Sequence, residues 1–185
     1  SCMSLVSLYG GFLRLSVAAS GLSSRSVDLD GSTTIHFWGP ASSSSSSKPV
    51  LVLIHGFGPP GIWQWTRQVK FFSRKFNVYV PDLVFFGESF SDSSERTEIF
   101  QAKCIASLLQ SLGVQRYSVV GTSYGGFVAY RLAEMWPEKV EKVVLASSAV
   151  NLRSSDNERL ARVHKADKIE DLLCPATVAG LRSFL

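Results

Sequence analysis

Short apolar segments alternate along the chain with stretches in which apolar residues recur at helical spacing. The segment Val50–Ile54 contains no polar residue, as is typical of a strand covered on both faces. Strands are predicted over residues 26–30, 33–38, 50–54, 76–80, 117–122 and 140–146, and helices over 62–75, 96–112 and 124–135. This alternation predicts the fold class α/β, with a mostly parallel sheet flanked by helices.

Changes in this pattern divide the chain into segments. Residues 26–150 carry the strand–helix alternation and form one predicted domain. In residues 151–185 the pattern predicts only short helices, over 159–166, 169–173 and 177–185, and no further strand. A chain of 185 residues with 45% apolar residues is long enough to bury one sizeable core.

Residues 1–25 admit two interpretations. The segment has Arg14 and Arg25, many serines and no acidic residue, as a transit peptide does. The alternative, which we favour, is an amphipathic helix that packs on the domain or lies on a membrane surface. Its apolar stripe would be formed by Leu5, Leu8, Phe12, Leu13 and Leu15.

The strongest local motif lies between a predicted strand and a predicted helix. Gly121-Thr122-Ser123-Tyr124-Gly125 matches the G-x-S-x-G pattern of a nucleophile elbow. In this sharp turn, side chains two residues to either side of the serine would collide, which explains Gly121 and Gly125. Gly126 is expected to let the helix pack close to the sheet. The motif predicts Ser123 as a catalytic nucleophile.

A serine nucleophile needs amide donors for the oxyanion that it generates. The Tyr124 N–H, at the start of the predicted helix, is one candidate. The Phe57 N–H is the second, because Phe57 follows the buried strand Val50–Ile54 and neighbouring Gly56 lets the backbone approach. His55 precedes the serine and is expected to order this loop rather than to act as the base.

The charge pattern argues against nucleic-acid binding, because 19 basic and 15 acidic residues are spread along the chain, with a net charge of +4. Cys2, Cys104 and Cys174 lack the spacing of a metal site or disulfide framework. No metal is therefore predicted, and Cys104 is expected in the core. This cysteine usage fits a reducing compartment. We expect a cytoplasmic protein, with the chloroplast as the alternative.

A rival motif is Gly56-Phe57-Gly58-Pro59-Pro60-Gly61, which formally matches the G-x-G-x-x-G pattern of dinucleotide-binding proteins. Asp82 ends the next predicted strand, where such proteins carry an acidic residue. However, Pro59 and Pro60 have no N–H to offer a pyrophosphate and distort the required turn. We therefore reject this interpretation.

Three motifs resemble the core of the α/β-hydrolase superfamily. They are His55-Gly56-Phe57-Gly58, then Pro81-Asp82-Leu83 with Phe86-Gly87-Glu88-Ser89, and the elbow at Ser123. Within the superfamily, the chain is similar to plant hydrolases related to monoacylglycerol lipases and meta-cleavage-product hydrolases. The resemblance covers about residues 26–185 and implies that 151–185 begin a helical cap.

This resemblance implies a hydrolase without a cofactor, which cleaves esters or occasionally carbon–carbon bonds next to carbonyls. It also implies the triad order Ser, Asp or Glu, then His, with the last two following later strands. Because no such strands are predicted before Leu185, we expect a hydrolase core that is truncated at its C-terminus. A serine hydroxyl without a base is a poor nucleophile, so we expect weak activity or none.

The remaining histidines and acids give no credible triad partners. His36 lies in the early hairpin, His164 lies in a polar helical stretch, and Asp82 is expected to order its loop. The later aspartates are expected in the cap: Asp156, Asp167 and Asp171. A non-catalytic binding or regulatory module with a hydrolase fold is therefore the alternative function.

The expected substrate is a small apolar ester or other acyl compound. Apolar residues near the motifs would suit such a substrate, although they could equally belong to the core: Phe57, Ile62, Trp63, Trp65, Phe85, Phe86 and Tyr124. Two further partners stay open. These are a membrane surface, contacted through the N-terminal segment, and a second copy, paired through the apolar edge strand at 140–146.

Overall fold

The computed structural model describes residues 5–41, 47–151, 153–163 and 177–178. The chain divides into two compact units, Ser1–Ser148 and Ala149–Leu185. The second unit contains one described α-helix, α5 (Ser154–Val163), in which the Asp156 carboxylate accepts a hydrogen bond from the Arg153 N–H at 3.0 Å. This contact gives Asp156 a helix-capping role. The predicted helices at 169–173 and 177–185, together with His164, Asp167 and Asp171, lie outside or almost wholly outside the described residues.

The first unit is built on one mixed sheet. Its strands are β1 (Leu22–Asp28), β2 (Thr33–Pro40), β3 (Val50–Ile54), β4 (Asn77–Pro81), β5 (Phe90–Ser91), β6 (Tyr117–Thr122) and β7 (Val140–Ala146). The spatial order is β1-β2-β4-β3-β6-β7, with β5 paired to β2. Strands β4, β3, β6 and β7 are parallel, whereas β1 and β2 form an antiparallel hairpin that extends the sheet.

Helices cover both faces of this sheet. They are α1 (Leu5–Ala18), α2 (Gly61–Phe72), α3 (Glu98–Ser111) and α4 (Tyr124–Met135). On one face, α1 and α2 pack with Leu51 and Leu53 of β3, while α3 and α4 pack with Val52 and Ile54 on the other. Because alternate residues of a strand point to opposite faces, β3 is apolar at every position. The predicted α/β architecture is confirmed.

Several element bounds differ from the prediction. Strand β1 begins at Leu22 rather than at residue 26, because strand pairing with β2 continues as far as Leu22↔Pro40. Helix α2 ends at Phe72, whose carbonyl then accepts the N–H groups of Lys75 and Phe76 in a turn. Helix α3 begins at Glu98, because the Thr97 side chain accepts the Phe100 N–H as an N-cap.

The short strand β5 was not predicted. Its two residues pair with β2 through Thr33↔Ser91 and Thr34↔Phe90, and the hydroxyls of Thr33 and Ser91 are 2.9 Å apart. Two residues are too few to show an alternating pattern, so this strand depends on tertiary pairing.

Strand β7 lies at one edge of the sheet and is poorly covered. Val143, Val144 and Leu145 are 37%, 52% and 39% exposed. Because consecutive residues point to opposite faces, exposure at all three means that both faces of β7 are open in this unit.

Candidate active site

Ser123 lies in a strained turn between β6 and α4. Its backbone torsions are φ 51° and ψ −120°, a combination that costs energy for any residue with a side chain. The turn is held by hydrogen bonds from the Ser123 N–H to the Ala146 carbonyl and from the Gly126 N–H to the Ser123 carbonyl, both 3.0 Å. The Ser148 hydroxyl also donates to that carbonyl, at 2.8 Å. Ser123 itself is exposed to solvent.

The two glycines that flank Ser123 are required by close backbone approach. A Cβ on Gly121 would overlap the Gly125 carbonyl, and a Cβ on Gly125 would overlap the carbonyls of Ile54 and His55. Gly125 is therefore the residue that lets α4 lie against the sheet. A Cβ on Gly126 would overlap the Ser148 side chain, and the expected role of Gly126 in packing the helix on the sheet stays a prediction.

The loop after β3 passes beside the nucleophile. A Cβ on Gly56 would lie 3.1 Å from the Ser123 Cβ, and the Gly56 N–H donates to the Gln64 side chain of α2 at 2.8 Å. The N–H groups of Phe57 and Tyr124 donate to no acceptor among the described residues. Both candidate oxyanion donors thus retain a free hydrogen-bonding group, and their role stays a prediction.

His55 is a structural residue of this loop. Its Nδ1–H donates to the Gly56 carbonyl at 2.6 Å, and its Nε2 accepts the Leu83 N–H at 2.9 Å. Complete burial lowers the pKa of the ring, so the imidazole stays neutral. Because both ring nitrogens are engaged, His55 has no free nitrogen with which to accept the Ser123 proton.

Asp82 orders the loop that follows β4. Its carboxylate accepts the Gly61 N–H at 2.7 Å and the Glu88 N–H at 3.3 Å, and its carbonyl accepts the Ser89 hydroxyl at 2.7 Å. The amide at the start of α2, which a pyrophosphate would need, is therefore occupied by Asp82. This contact is a further argument against dinucleotide binding.

His36 is the centre of a hydrogen-bonded network that the sequence did not reveal, in which His36 and Asp82 are buried and Ser24 is exposed. Its Nδ1 lies 2.9 Å from the Asp82 carboxylate and its Nε2 lies 2.7 Å from the Ser24 hydroxyl. These are the residue types of a catalytic triad, but Ser24 lies in the extended strand β1 and not in a nucleophile elbow. We interpret the network as fastening the β1–β2 hairpin to the loop after β4.

A cavity of ≈ 310 Å³ adjoins the elbow. It is lined by Phe57, Phe85, Phe86, Arg96, Gln101 and Tyr124. Four of these residues were predicted near the site. Of the others predicted there, Ile62 and Trp65 belong to the core, whereas the Trp63 ring packs against Tyr9 of α1.

Arg96 and Gln101 were missed as lining residues. Gln101 is buried, accepts the Val84 N–H at 2.9 Å and donates to the Val84 carbonyl at 3.0 Å. The Arg96 guanidinium lies 3.6 Å from the centre of the Phe85 ring, and Phe85 itself has a positive φ of 72°. No sequence pattern signals these contacts, since they depend on the path of the loop after β4.

A larger cavity of about 500 Å³ lies at the opposite end of the parallel strands, away from the elbow. Its lining includes Asn77 and Val78, where β4 begins. Ligands of open α/β sheets bind at the carboxyl ends of the strands. The smaller cavity, beside the ends of β3, β4 and β6, is therefore the candidate site.

The mostly parallel sheet, the strained serine turn and the loop beside it define an α/β hydrolase. The sequence matches the alpha/beta hydrolase fold family over residues 49–168, well over half of the chain, and the protein belongs to this family. Among the described residues, no helix combines the length and the apolarity needed to span a bilayer.

Curated relatives are similar to this chain over part of its length. Epoxide hydrolase 4 from Mus musculus is 32% identical over 103 residues, which cover 53% of this chain and 28% of that protein. The 2-hydroxymuconate semialdehyde hydrolase of Pseudomonas sp. (strain CF600) is 31% identical over 104 residues, which cover 54% of this chain and 36% of that enzyme. The chain thus matches about a third of these curated relatives.

Solved structures share the fold over more of the chain. A membrane phospholipase A, described as a bacterial virulence factor, has a TM-score of 0.73 and 24% sequence identity. That similarity covers 97% of this chain and 63% of the phospholipase. At this level of identity the comparison shows the fold alone.

Proposed function

We propose that this protein is a serine hydrolase that acts on a carboxylic ester with an apolar, lipid-like acyl group. The observation that carries the proposal is the geometry of Ser123. Its hydroxyl is exposed in a strained strand-to-helix turn, beside a loop whose Phe57 amide has no acceptor among the described residues. Backbone strain of this kind clusters at functional sites, and it supports a reaction at that hydroxyl.

The chemistry follows from this arrangement. The Ser123 Oγ attacks the ester carbonyl carbon, and the carbonyl oxygen becomes an oxyanion that accepts the N–H groups of Phe57 and Tyr124. The alcohol leaves, and water then hydrolyses the acyl-serine. Both steps need a general base, which His55 does not supply because its nitrogens are engaged. We therefore expect slow turnover from this chain.

The cavity supports an apolar substrate. Four of its six lining residues are aromatic, and aromatic walls stabilise apolar groups by removing them from water. A structural neighbour is named a membrane phospholipase A, which agrees with an ester of lipid character. The relative named as an epoxide hydrolase suggests a different substrate, but a carboxylate nucleophile suits epoxide opening and the elbow here carries a hydroxyl.

Labelling with a fluorophosphonate tests this proposal. We expect slow labelling, over hours, that peptide mass spectrometry assigns to Ser123. The S123A variant should lose the label, whereas S26A, which removes an exposed serine of β1, should keep it. Absence of the label from Ser123 would refute the proposal. Rapid stoichiometric labelling would instead refute the expectation of a missing base.

The second candidate is a binding module with a hydrolase fold. The engagement of both nitrogens of His55 favours it, because no described histidine next to Ser123 is free to act as a base. Ester hydrolysis that depends on Ser123 separates the two functions. A pure binding module would give the same background rate in the parent protein and in S123A.

A further inference from the structure

Helix α1 exposes an unusual number of apolar side chains. Leu5, Leu8, Phe12 and Leu15 are 84%, 49%, 59% and 74% exposed, although the helix also buries Leu13 and Val17 against the domain. A helix that packs on a domain needs only one apolar side. The second apolar side of α1 therefore has no covering among the described residues.

The neighbouring helix adds positive charge to this surface. Lys70 and Arg74 lie next to the C-terminal end of α1, together with Ala19 and Ser20, and the Lys70 ammonium is 5.9 Å from the centre of the Phe12 ring. Neither basic residue pairs with a carboxylate in the described part of the chain. We call Leu5, Leu8, Phe12, Leu15, Lys70, Phe71 and Arg74 the α1–α2 face.

Acidic residues are missing from the sequence around this face. Residues 5–27 and 49–81 contain no Asp or Glu. The only charged residue of α1, Arg14, is paired with Glu88, and this contact lowers the pKa of the Glu88 carboxyl. Apolar side chains beside unopposed basic ones match an anionic lipid surface, where the apolar groups insert and the cations meet phosphate.

The position of α1 connects this face to the candidate site. The Tyr9 ring packs edge-on against Trp63, with ring centres 5.3 Å apart. The next residue, Gln64, accepts the Gly56 N–H of the oxyanion loop. Arg14 of α1 also contacts Glu88, whose N–H donates to the Asp82 carboxylate in the loop after β4. Helix α1 thus contacts the loop after β4 through Glu88 and is connected to the loop after β3 through α2.

We propose that the α1–α2 face binds the surface of an anionic bilayer, with α1 lying in the plane of the interface. Two copies that met through this face would bring Lys70 and Arg74 of each chain together, so charge disfavours self-association there. A bilayer bound through α1 would lie next to the loops of the candidate site. The proposal concerns the surface alone and does not depend on the chemistry of Ser123.

Sedimentation with sucrose-loaded vesicles tests the proposal. We expect binding to phosphatidylcholine vesicles with about 30% phosphatidylserine to be on the order of tenfold tighter than binding to phosphatidylcholine alone. This preference should fall in about 0.5 M salt, which screens charges beyond a few ångströms. Equal binding to both kinds of vesicle, or no binding to either, would overturn the proposal.

Matched variants assign the binding to the face. The double variant F12S/L15S should lose on the order of tenfold in affinity, because two inserted side chains become polar. The variant K70E/R74E should lose the preference for phosphatidylserine. The controls F90S and K103E change exposed residues on β5 and α3 and should bind as the parent does.

Three further results would contradict the proposal that the α1–α2 face binds a bilayer. Normal vesicle binding by F12S/L15S would show that α1 does not insert. A parent protein that dimerises through Phe12 and Leu15, detected by sedimentation velocity without lipid, would identify a second copy as the occupant. Equal loss of binding in F90S would show a general effect of exposed aromatic residues. Circular dichroism of each variant checks that the fold is kept, and S123A should bind vesicles as the parent does.

Discussion

At the scale of single residues, the loops around the site are held by hydrogen bonds to buried polar side chains. His55 donates to Gly56 and accepts from Leu83, and thereby joins the loop after β3 to the loop after β4. Asp82 joins the second loop to the start of α2 and to His36 of β2. A buried polar group without these partners would destabilise the fold, so each contact both positions the site and satisfies a burial requirement.

The neutral state of His55 predicts a pH dependence of stability. Burial lowers the pKa of His55 in the folded protein, so the unfolded chain takes up a proton more readily. The associated stability is present above the ordinary histidine pKa and is lost as the pH falls through the folded pKa. We expect urea denaturation to show a decline below about pH 6.5, with a slope of at most about 1.4 kcal/mol per pH unit from this group.

The variant H55N provides the comparison. An asparagine side chain does not titrate in this range. The free energy of unfolding of H55N should therefore fall less steeply between about pH 7 and about pH 5. The variant should be less stable overall, because the Leu83 N–H loses its acceptor. An unchanged slope would show that other groups cause the decline.

At the scale of elements, the site depends on how closely α4 approaches the sheet. The carbonyls of Ile54 and His55 occupy the space that a side chain at Gly125 would need. The same approach places the start of α4 beside the loop that carries Gly56, whose added Cβ would be 3.1 Å from that of Ser123. The spacing between helix and strand therefore sets the distance between the nucleophile and the oxyanion loop.

Substitution of Gly125 tests this dependence. We expect G125A to lower the free energy of unfolding by about 3 kcal/mol, since neither carbonyl can move without shifting β3. The control is G11A in α1, where an added Cβ meets nothing within 4 Å. Alanine favours helix over glycine by about 1 kcal/mol, so this variant should be slightly stabilised. Urea denaturation of both would measure the difference, and equal effects would contradict the explanation.

At the scale of the whole molecule, the two edges of the sheet are unlike. At one edge, the antiparallel hairpin of β1 and β2 is fastened by the contacts of His36 and by the short strand β5. At the other edge, β7 leaves Val143, Val144 and Leu145 exposed. An exposed apolar edge strand offers unpaired backbone groups to a neighbouring chain, so we expect self-association through β7.

Sedimentation velocity over a range of concentrations tests this expectation. The parent protein should form dimers or larger species as its concentration rises, and V144K should shift the equilibrium to the monomer, because a charge on the edge opposes pairing. The matched control V163K alters a valine of α5 that is more exposed than Val144 and should behave as the parent does. A parent that stays monomeric at all concentrations would refute self-association.

Much of this fold could be predicted from local pattern. The bounds of β3, β6, α4 and β7 agree with the sequence prediction, because continuous apolar runs and the glycines of the elbow leave strong local signals. The structural roles expected for His55 and Asp82 are also consistent with their contacts. These features depend on residues close together in the chain, whose spacing alone limits the backbone.

Tertiary structure alone decided which distant residues meet. Asp82 and His36 are 46 residues apart in sequence, and no periodic pattern in the sequence indicates that they are in contact. The same holds for Arg96 over Phe85, for Gln101 on Val84, and for Ser148 beside Gly126. Sequence periodicity reports which face of an element is buried, whereas these contacts depend on how the elements stack and on the loop paths between them.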